Sequence, residues 1–224
     1  MENLPIYIHL VFVLTVLLSV WLFYKAANRS NSVLIVLFSW LGIQAVISLL
    51  GFYQNSYAMP PRFGFLVLPP VILIITLFVT EKGKQIIDSF DMKMLTIFHI
   101  VRIPIEIVLF WLFLNKTVPA LMTFEGRNFD ILSGLTAPFI YYFGFVKQNL
   151  SRNVLLSWNF ICIGLLINIV ANAALSIASP FQQFGFEQPN IAVLHFPFVW
   201  LPGCLVPMVL LAHLVTIRHI FLKR

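Results

Sequence analysis

Seven apolar runs constrain the fold of this chain more than any other feature. A helix needs about 20 mainly apolar residues to cross roughly 30 Å of hydrocarbon. The runs cover residues 4–24, 33–54, 63–80, 94–114, 130–146, 154–178 and 191–217, and the third and fifth are the shortest. The pattern predicts an all-α, polytopic integral membrane protein, in which residues 1–224 form a single bundle of seven transmembrane helices.

The composition agrees with a membrane protein and excludes an ordinary soluble domain. Hydrophobic residues make up 60% of the chain and charged residues 10%, against about 45–50% and about 25% in soluble domains. Two cysteines are too few for a disulfide-stabilised scaffold. The net charge of +6 is explained by membrane orientation and by attraction to anionic headgroups, so a nucleic-acid partner is not predicted.

The positions of lysine and arginine predict the orientation, because short cytoplasmic loops collect these residues. With seven spans, ten of the 14 lie on one side. They are Lys25, Arg29, Lys82, Lys84, Lys93, Lys147, Arg152, Arg218, Lys223 and Arg224. Arg62, Lys116 and Arg127 lie on the other side, and Arg102 lies inside a span. The ratio predicts an outside N-terminus, a cytoplasmic C-terminus and a multi-pass protein of the cell membrane.

The fourth run contains the most informative polar residues, His99, Arg102 and Glu106. At about 100° per residue they fall within roughly 60° on one helix face, and we call them the polar stripe. Glu106 is expected about 18 Å from the cytoplasmic end of the run, at 1.5 Å per residue. Charges at such a depth cost at least about 2.5–3.5 kcal/mol each, so the stripe is expected to face the bundle interior and to have partners.

Two interpretations of the stripe stay open. In the first, Arg102 and Glu106 pair with each other and lock the packing of the helices. In the second, the stripe is a functional site, because ionisable groups inside membranes mark the paths of substrates, ions or protons. Glu106 would then carry a proton or act as a general base, Arg102 would bind an anion or balance Glu106, and His99 would titrate near neutral pH.

Histidines in other runs are further candidates. His213 is expected about 6 Å from the cytoplasmic surface, near the level of His99, whereas His195 and His9 are expected near the outer surface. Binding of a haem or metal by two histidines is one hypothesis. Three prolines between His195 and His213, and a sequence without an H-x-x-x-H spacing, favour ordinary packing. No metal site is therefore predicted, and the cofactor stays unassigned.

The loop before the fifth run places four polar residues within six positions, Glu125, Arg127, Asn128 and Asp130. Asn128 or Asp130 can cap the helix that follows, where a carboxylate also complements the helix dipole. Helix capping does not account for Glu125 and Arg127. These two, with Asp130, are therefore candidate ligand-binding residues at an outer mouth.

A polar row recurs every four residues in the sixth run, at Asn168, Asn172 and Ser176. Such spacing keeps the side chains near one helix face. The row predicts hydrogen bonds to a neighbouring helix, with a water-filled cavity as the alternative.

Three functions agree with these patterns. The first is binding or passing a small solute or protons at the polar stripe. The second is a membrane-embedded enzyme that acts on a lipid or isoprenoid, and the third is a non-catalytic subunit whose stripe binds a membrane-protein partner. The candidate catalytic residues are Glu106 and His99. The candidate ligand-binding residues are Arg102, Glu125, Arg127, Asp130, His195 and His213. The expected partners are the lipid bilayer, a small-molecule or lipid ligand and another membrane protein.

Overall fold

The structure, a computed structural model, describes residues 4–222. Within that range 73% of the protein is helical and there are no strands. The nine α-helices found there are α1 (Ile6–Ala26), α2 (Asn31–Leu49), α3 (Gly64–Val79), α4 (Glu81–Asp88), α5 (Met92–Phe98), α6 (Arg102–Leu114), α7 (Ile131–Tyr141), α8 (Arg152–Leu175) and α9 (Val206–Leu222). A 3₁₀ turn, His99–Val101, joins α5 to α6, and π-helical turns at Tyr142–Val146 and Leu201–Leu205 extend α7 and precede α9. Lys223 and Arg224, two of the ten basic residues assigned to the cytoplasm, lie outside the described residues.

Among residues 4–222, five helical segments are long and apolar enough to cross a bilayer, as in a membrane protein. They are Ile6–Ala26, Asn31–Leu49, Met92–Leu114, Arg152–Leu175 and Leu201–Leu222. α3 and α4 together make a sixth candidate, which is bent by 93°. The prediction of an all-helical protein with several apolar spans is confirmed. Seven spans remain a prediction, because the third and fifth runs form shorter helices, Gly64–Val79 and Ile131–Val146.

The corner between α3 and α4 ends the third apolar run. Thr80 follows α3, and its Oγ1 accepts a hydrogen bond of 3.1 Å from the Gly83 N–H, which caps α4. A Cβ at Gly83 would lie 2.6 Å from Cα of Leu77, so glycine allows α4 to fold closely against the end of α3. Asp88, the last residue of α4, accepts two hydrogen bonds from Arg218, which fixes α4 to the end of α9.

The two most buried spans are those that carry the polar stripe and His213. Buried residues make up 50% of the most apolar stretch of Met92–Leu114 and 61% of that in Leu201–Leu222. The corresponding values are 17% for Asn31–Leu49 and 22% for Arg152–Leu175. α9 packs against α5, α8 and α3, so polar side chains on the two central spans can meet inside the protein.

The loop after α6, residues 115–129, folds back into the bundle, and we call it the inward loop. Glu106 precedes Leu114, the last residue of α6, by eight positions, or about 12 Å along the helix. Asn128 nevertheless hydrogen-bonds to Glu106, so the loop returns by about that distance. Asp130 and the start of α7 therefore lie beside Arg102, within the span Met92–Leu114. Because α7 starts there and not at the end of the span, the fifth run is short. The buried residues of the loop are Val118, Pro119, Met122, Thr123 and Asn128.

Candidate functional site

An ion pair between Arg102 and Asp130 is buried inside the bundle. Arg102 Nη1 donates a hydrogen bond to Asp130 Oδ1 at 2.8 Å, and the two residues are 1% and 5% exposed. Arg102 is the first residue of α6, and Asp130 immediately precedes α7. One interpretation of the polar stripe expected Arg102 to pair with Glu106. In the structure its partner is Asp130. The Asp130 side chain turns to the arginine instead of capping α7.

His213 on α9 extends this pair to a third helix. Arg102 Nη2 lies 3.1 Å from His213 Nε2, and His213 Nδ1 lies 2.8 Å from Oδ1 of Asn159. Arginine N–H groups can only donate, so Nε2 accepts, and Nδ1 carries the proton that is donated to Asn159. The Asn159 amide nitrogen donates in turn to the Leu155 carbonyl at 2.8 Å. His213 is therefore held as a neutral histidine in one tautomer.

His99 packs chiefly as an aromatic ring. Its centroid lies 3.8 Å from that of His213, with 14° between the ring planes, and both rings meet Trp158 at 5.6 Å. Neither ring nitrogen of His99 has a hydrogen-bond partner within residues 4–222. Because both nitrogens of His213 are engaged, this stacked pair does not fit a haem or metal bound by two histidines. In the described part of the chain, no group of three or more His, Cys, Asp or Glu residues is arranged to hold a metal ion.

Glu106 is bound by a neutral amide. Both of its carboxylate oxygens lie within hydrogen-bond distance of Asn128 Nδ2, at 2.7 and 2.6 Å, and Glu106 is 2% exposed. Asn128 Nδ2 also donates to the Met122 carbonyl at 3.0 Å, and its Oδ1 accepts from the Asp130 N–H at 3.0 Å. The inward loop thus holds the amide in one orientation, with its donor toward Glu106.

The site contains two carboxyl groups, those of Glu106 and Asp130, and one guanidinium, that of Arg102. Among the ion pairs that the described chain forms, Arg102 is matched by Asp130, and none includes Glu106. Glu106 is therefore the group whose negative charge, when present, has no direct counter-charge. We call the hydrogen-bonded set the polar cluster; its members are Arg102, Glu106, Asn128, Asp130, Asn159 and His213.

A cavity of about 230 Å³ lies beside the polar cluster. Glu106, Arg102 and Asp130 form part of its wall, and α3, α8, the Leu201–Leu205 turn and α9 supply most of the apolar remainder. Asn190, which is 1% exposed, also lines it. The Asn190 amide nitrogen donates to the Ala173 carbonyl at 3.0 Å, whereas its Oδ1 has no hydrogen-bond partner in the part of the chain described.

Three predicted site residues lie apart from the polar cluster. The side chains of Glu125 and Arg127 are on the exposed part of the inward loop, and the Arg127 guanidinium lies 5.8 Å from the centre of the Phe184 ring. His195 is partly buried, and its Nδ1 lies 3.0 Å from the Ile191 carbonyl. The predicted residues that the structure does bring together are His99, Arg102, Glu106, Asp130 and His213.

Sequence reasoning missed Asn128 and Asn159 as partners of the charged groups. The position of Asn128 suggested a helix cap, and the loop gave no sign that it folds inward. Asn159 precedes Asn168 by nine residues, so it lies on the opposite face of α8 from the polar row. An isolated amide inside an apolar run was the available signal, because such a group needs a partner in the bundle.

The comparisons with known proteins identify a family. The family described as Domain of unknown function (DUF8737) matches residues 60–221. The match includes every member of the polar cluster and covers more than half of the chain. Neither the curated proteins nor the solved structures include a match to this chain.

Proposed function

The chain belongs to the family described as Domain of unknown function (DUF8737), and we propose that it binds or passes a small solute or protons at the cavity beside Glu106. The observation that carries this proposal is the pairing in the polar cluster. Arg102 has a carboxylate partner, whereas Glu106, which lines the cavity, has only the amide of Asn128.

The electrostatics of a bilayer explain why this pairing favours uptake of a proton or solute. A bare carboxylate inside hydrocarbon is costly, and such groups in membrane proteins usually face a path or a binding site. Glu106 becomes neutral by taking a proton, or it is balanced by a cationic or hydrogen-bond-donating solute in the cavity. Both routes use the same acceptor oxygens, so the same variant tests both.

The rest of the cluster serves as a rigid support in this proposal. Asp130 balances the charge of Arg102, and the ordered bonds from Arg102 through His213 to Asn159 tie α6, α7, α8 and α9 together. His99, stacked on His213, fills the space beside it. The roles of Glu106 and His99 in catalysis remain predictions of the enzyme hypothesis. Because the hydrogen bonds of Glu106 go to Asn128 and not to a histidine, binding or transfer is the better-supported function.

Removing the charge of Glu106 tests the proposal. Native mass spectrometry of the purified protein in nanodiscs should show a bound small molecule, or proteoliposomes with an entrapped pH-sensitive dye should show a proton flux under an imposed potential. Glu106→Gln should abolish whichever signal the wild type gives, because the amide can neither take up a proton nor balance a cation. Glu187→Gln, at an exposed loop carboxylate, is the matched control and should behave as wild type.

Two results would contradict the proposal. One is a wild-type protein that gives neither a bound molecule nor a proton flux. The other is a signal from Glu106→Gln equal to that of the wild type, which would show that binding or proton flux does not need the Glu106 carboxylate.

The proposal includes an outside N-terminus and a cytoplasmic C-terminus in the cell membrane. Cysteine labelling tests this orientation, because the native Cys162 and Cys204 are buried and should not react. The exposed residue Lys82 lies before the span Met92–Leu114, and the exposed residue Glu125 lies after it. Glu125→Cys should react with an impermeant maleimide in intact cells, and Lys82→Cys should react only after permeabilisation. The reverse pattern would invert the topology.

A further inference from the structure

We infer that the solute is a small amphiphilic amine, whose ammonium group binds at Glu106 and whose short apolar body fills the rest of the cavity. This inference rests on the proposed function, and it narrows a small solute or proton to one chemical class. It follows from the charged groups at the cavity wall, from the apolar side chains that line the rest of the cavity and from the cavity volume.

Both acceptors and donors at the cavity wall have unused hydrogen-bonding capacity. Glu106 offers two carboxylate oxygens, and Asn190 offers an Oδ1 without a partner among residues 4–222. Arg102 uses one N–H of Nη1 for Asp130 and one N–H of Nη2 for His213, so three of its five N–H donors, including that of Nε, have no partner within the described chain. Because unused donors and unused acceptors both remain, the charge balance at the wall decides which ligand group fits.

The charge at the cavity wall selects a cation. Two carboxyl groups, Glu106 and Asp130, and one guanidinium, Arg102, line the cavity, so one positive charge on the ligand completes the balance. An ammonium group supplies that charge and three N–H donors on a single atom. A hydroxyl supplies one donor and no charge, and a carboxylate would add a third negative group.

The other walls require an apolar body. They consist largely of aliphatic side chains from α6, α8, α9 and the segments before α9, including Leu109, Leu166, Ile169, Val193, Leu205 and Val209. Burial of an alkyl group against such walls is favourable by about 0.8 kcal/mol per CH₂, whereas a polar body would lose its hydration without new partners. The ligand is therefore expected to carry its polar groups at one end.

The volume limits the size of the ligand. About 230 Å³ is smaller than the roughly 300–1,000 Å³ of sites for drug-sized molecules. The entrance proposed for the ligand is at Val170 on α8, which lines the cavity and is 36% exposed. A short alkylamine that has partitioned into the bilayer can enter from that side, and a two-chain lipid is too large to be enclosed.

Thermal unfolding of the full-length protein in nanodiscs tests the ligand class with three probes of equal chain length, hexylamine, hexanol and hexanoate at pH 7. Hexylamine at about five times its Kd should raise the Tm of the wild type by about 2–4 °C, and the other two probes should leave it unchanged. The shift with hexylamine should disappear in Glu106→Gln and persist in Glu187→Gln, which controls for effects of the amine on the bilayer.

The possible outcomes separate this inference from the proposed function. A shift with hexanoate or hexanol that equals or exceeds the shift with hexylamine overturns the amine assignment, as does an equal hexylamine shift in Glu106→Gln. No shift with any probe, while native mass spectrometry shows a molecule that depends on Glu106, also overturns the amine class but leaves the proposed function standing. The proposed function itself fails only by the bound-molecule and proton-flux measurements on the wild type and Glu106→Gln.

Discussion

Replacing Arg102 with methionine is expected to lower the free energy of unfolding by about 3–5 kcal/mol, the range for removing one partner of a buried ion pair. The guanidinium is 1% exposed and bonds to Asp130 and His213. Methionine occupies a similar elongated space but donates no hydrogen bond. The Asp130 carboxylate would then be buried without a cation, and Nε2 of His213 would lose its donor.

A double variant separates the free energy lost with the ion pair from the cost of leaving the Asp130 carboxylate buried without a cation. Arg102→Met combined with Asp130→Asn leaves no unbalanced charge from the pair, so it should be more stable than Arg102→Met alone. Titration with SDS in mixed micelles, followed by tryptophan fluorescence, measures each free energy of unfolding. The control Arg218→Met breaks the partly exposed pair with Asp88 and should cost about 1 kcal/mol or less. Equal losses for the two arginine variants, or a double variant less stable than Arg102→Met, would contradict an important buried pair.

The helices and the burial of the polar stripe were predictable from the sequence. Bilayer thickness sets the length of an apolar span, and the high cost of charge in hydrocarbon requires Arg102 and Glu106 to face inward. They are 1% and 2% exposed. Both arguments depend only on residue type and helical period, so they need no knowledge of which helices are neighbours.

The partners of the stripe were not predictable, because they depend on how distant segments meet. Asp130 and Asn128 reach α6 only because the inward loop folds back, and loop composition does not distinguish an inward loop from one on the surface. Spacing alone placed His213 near the level of His99. The depth of His213 in the membrane does not determine how α9 is rotated about its own axis. That rotation brings His213 against the His99 ring and within hydrogen-bond distance of Arg102.

The second large effect on stability is expected for a substitution at Gly126 in the inward loop. A Cβ at this position would lie 2.3 Å from the Ala120 carbonyl oxygen and 2.6 Å from Cα of Leu121. Both atoms belong to the backbone, so the contact cannot be relieved by rotating a side chain. The loop would have to shift, and Asn128, two residues further on, would move away from Glu106.

Gly126→Ala is therefore expected to lower the free energy of unfolding by about 2–5 kcal/mol, from overpacking and from the loss of buried hydrogen bonds to Glu106. Its loss of the bound molecule or proton flux should match that of Glu106→Gln, because the amide that holds the carboxylate in place is displaced. Gly164→Ala is the matched control: a Cβ there meets no atom of the described chain within 4 Å, and alanine favours the α8 helix by up to about 1 kcal/mol. If Gly126→Ala keeps both the stability and the signal of this control, the loop does not hold Glu106 in place, and the carboxylate must be positioned by α6 alone.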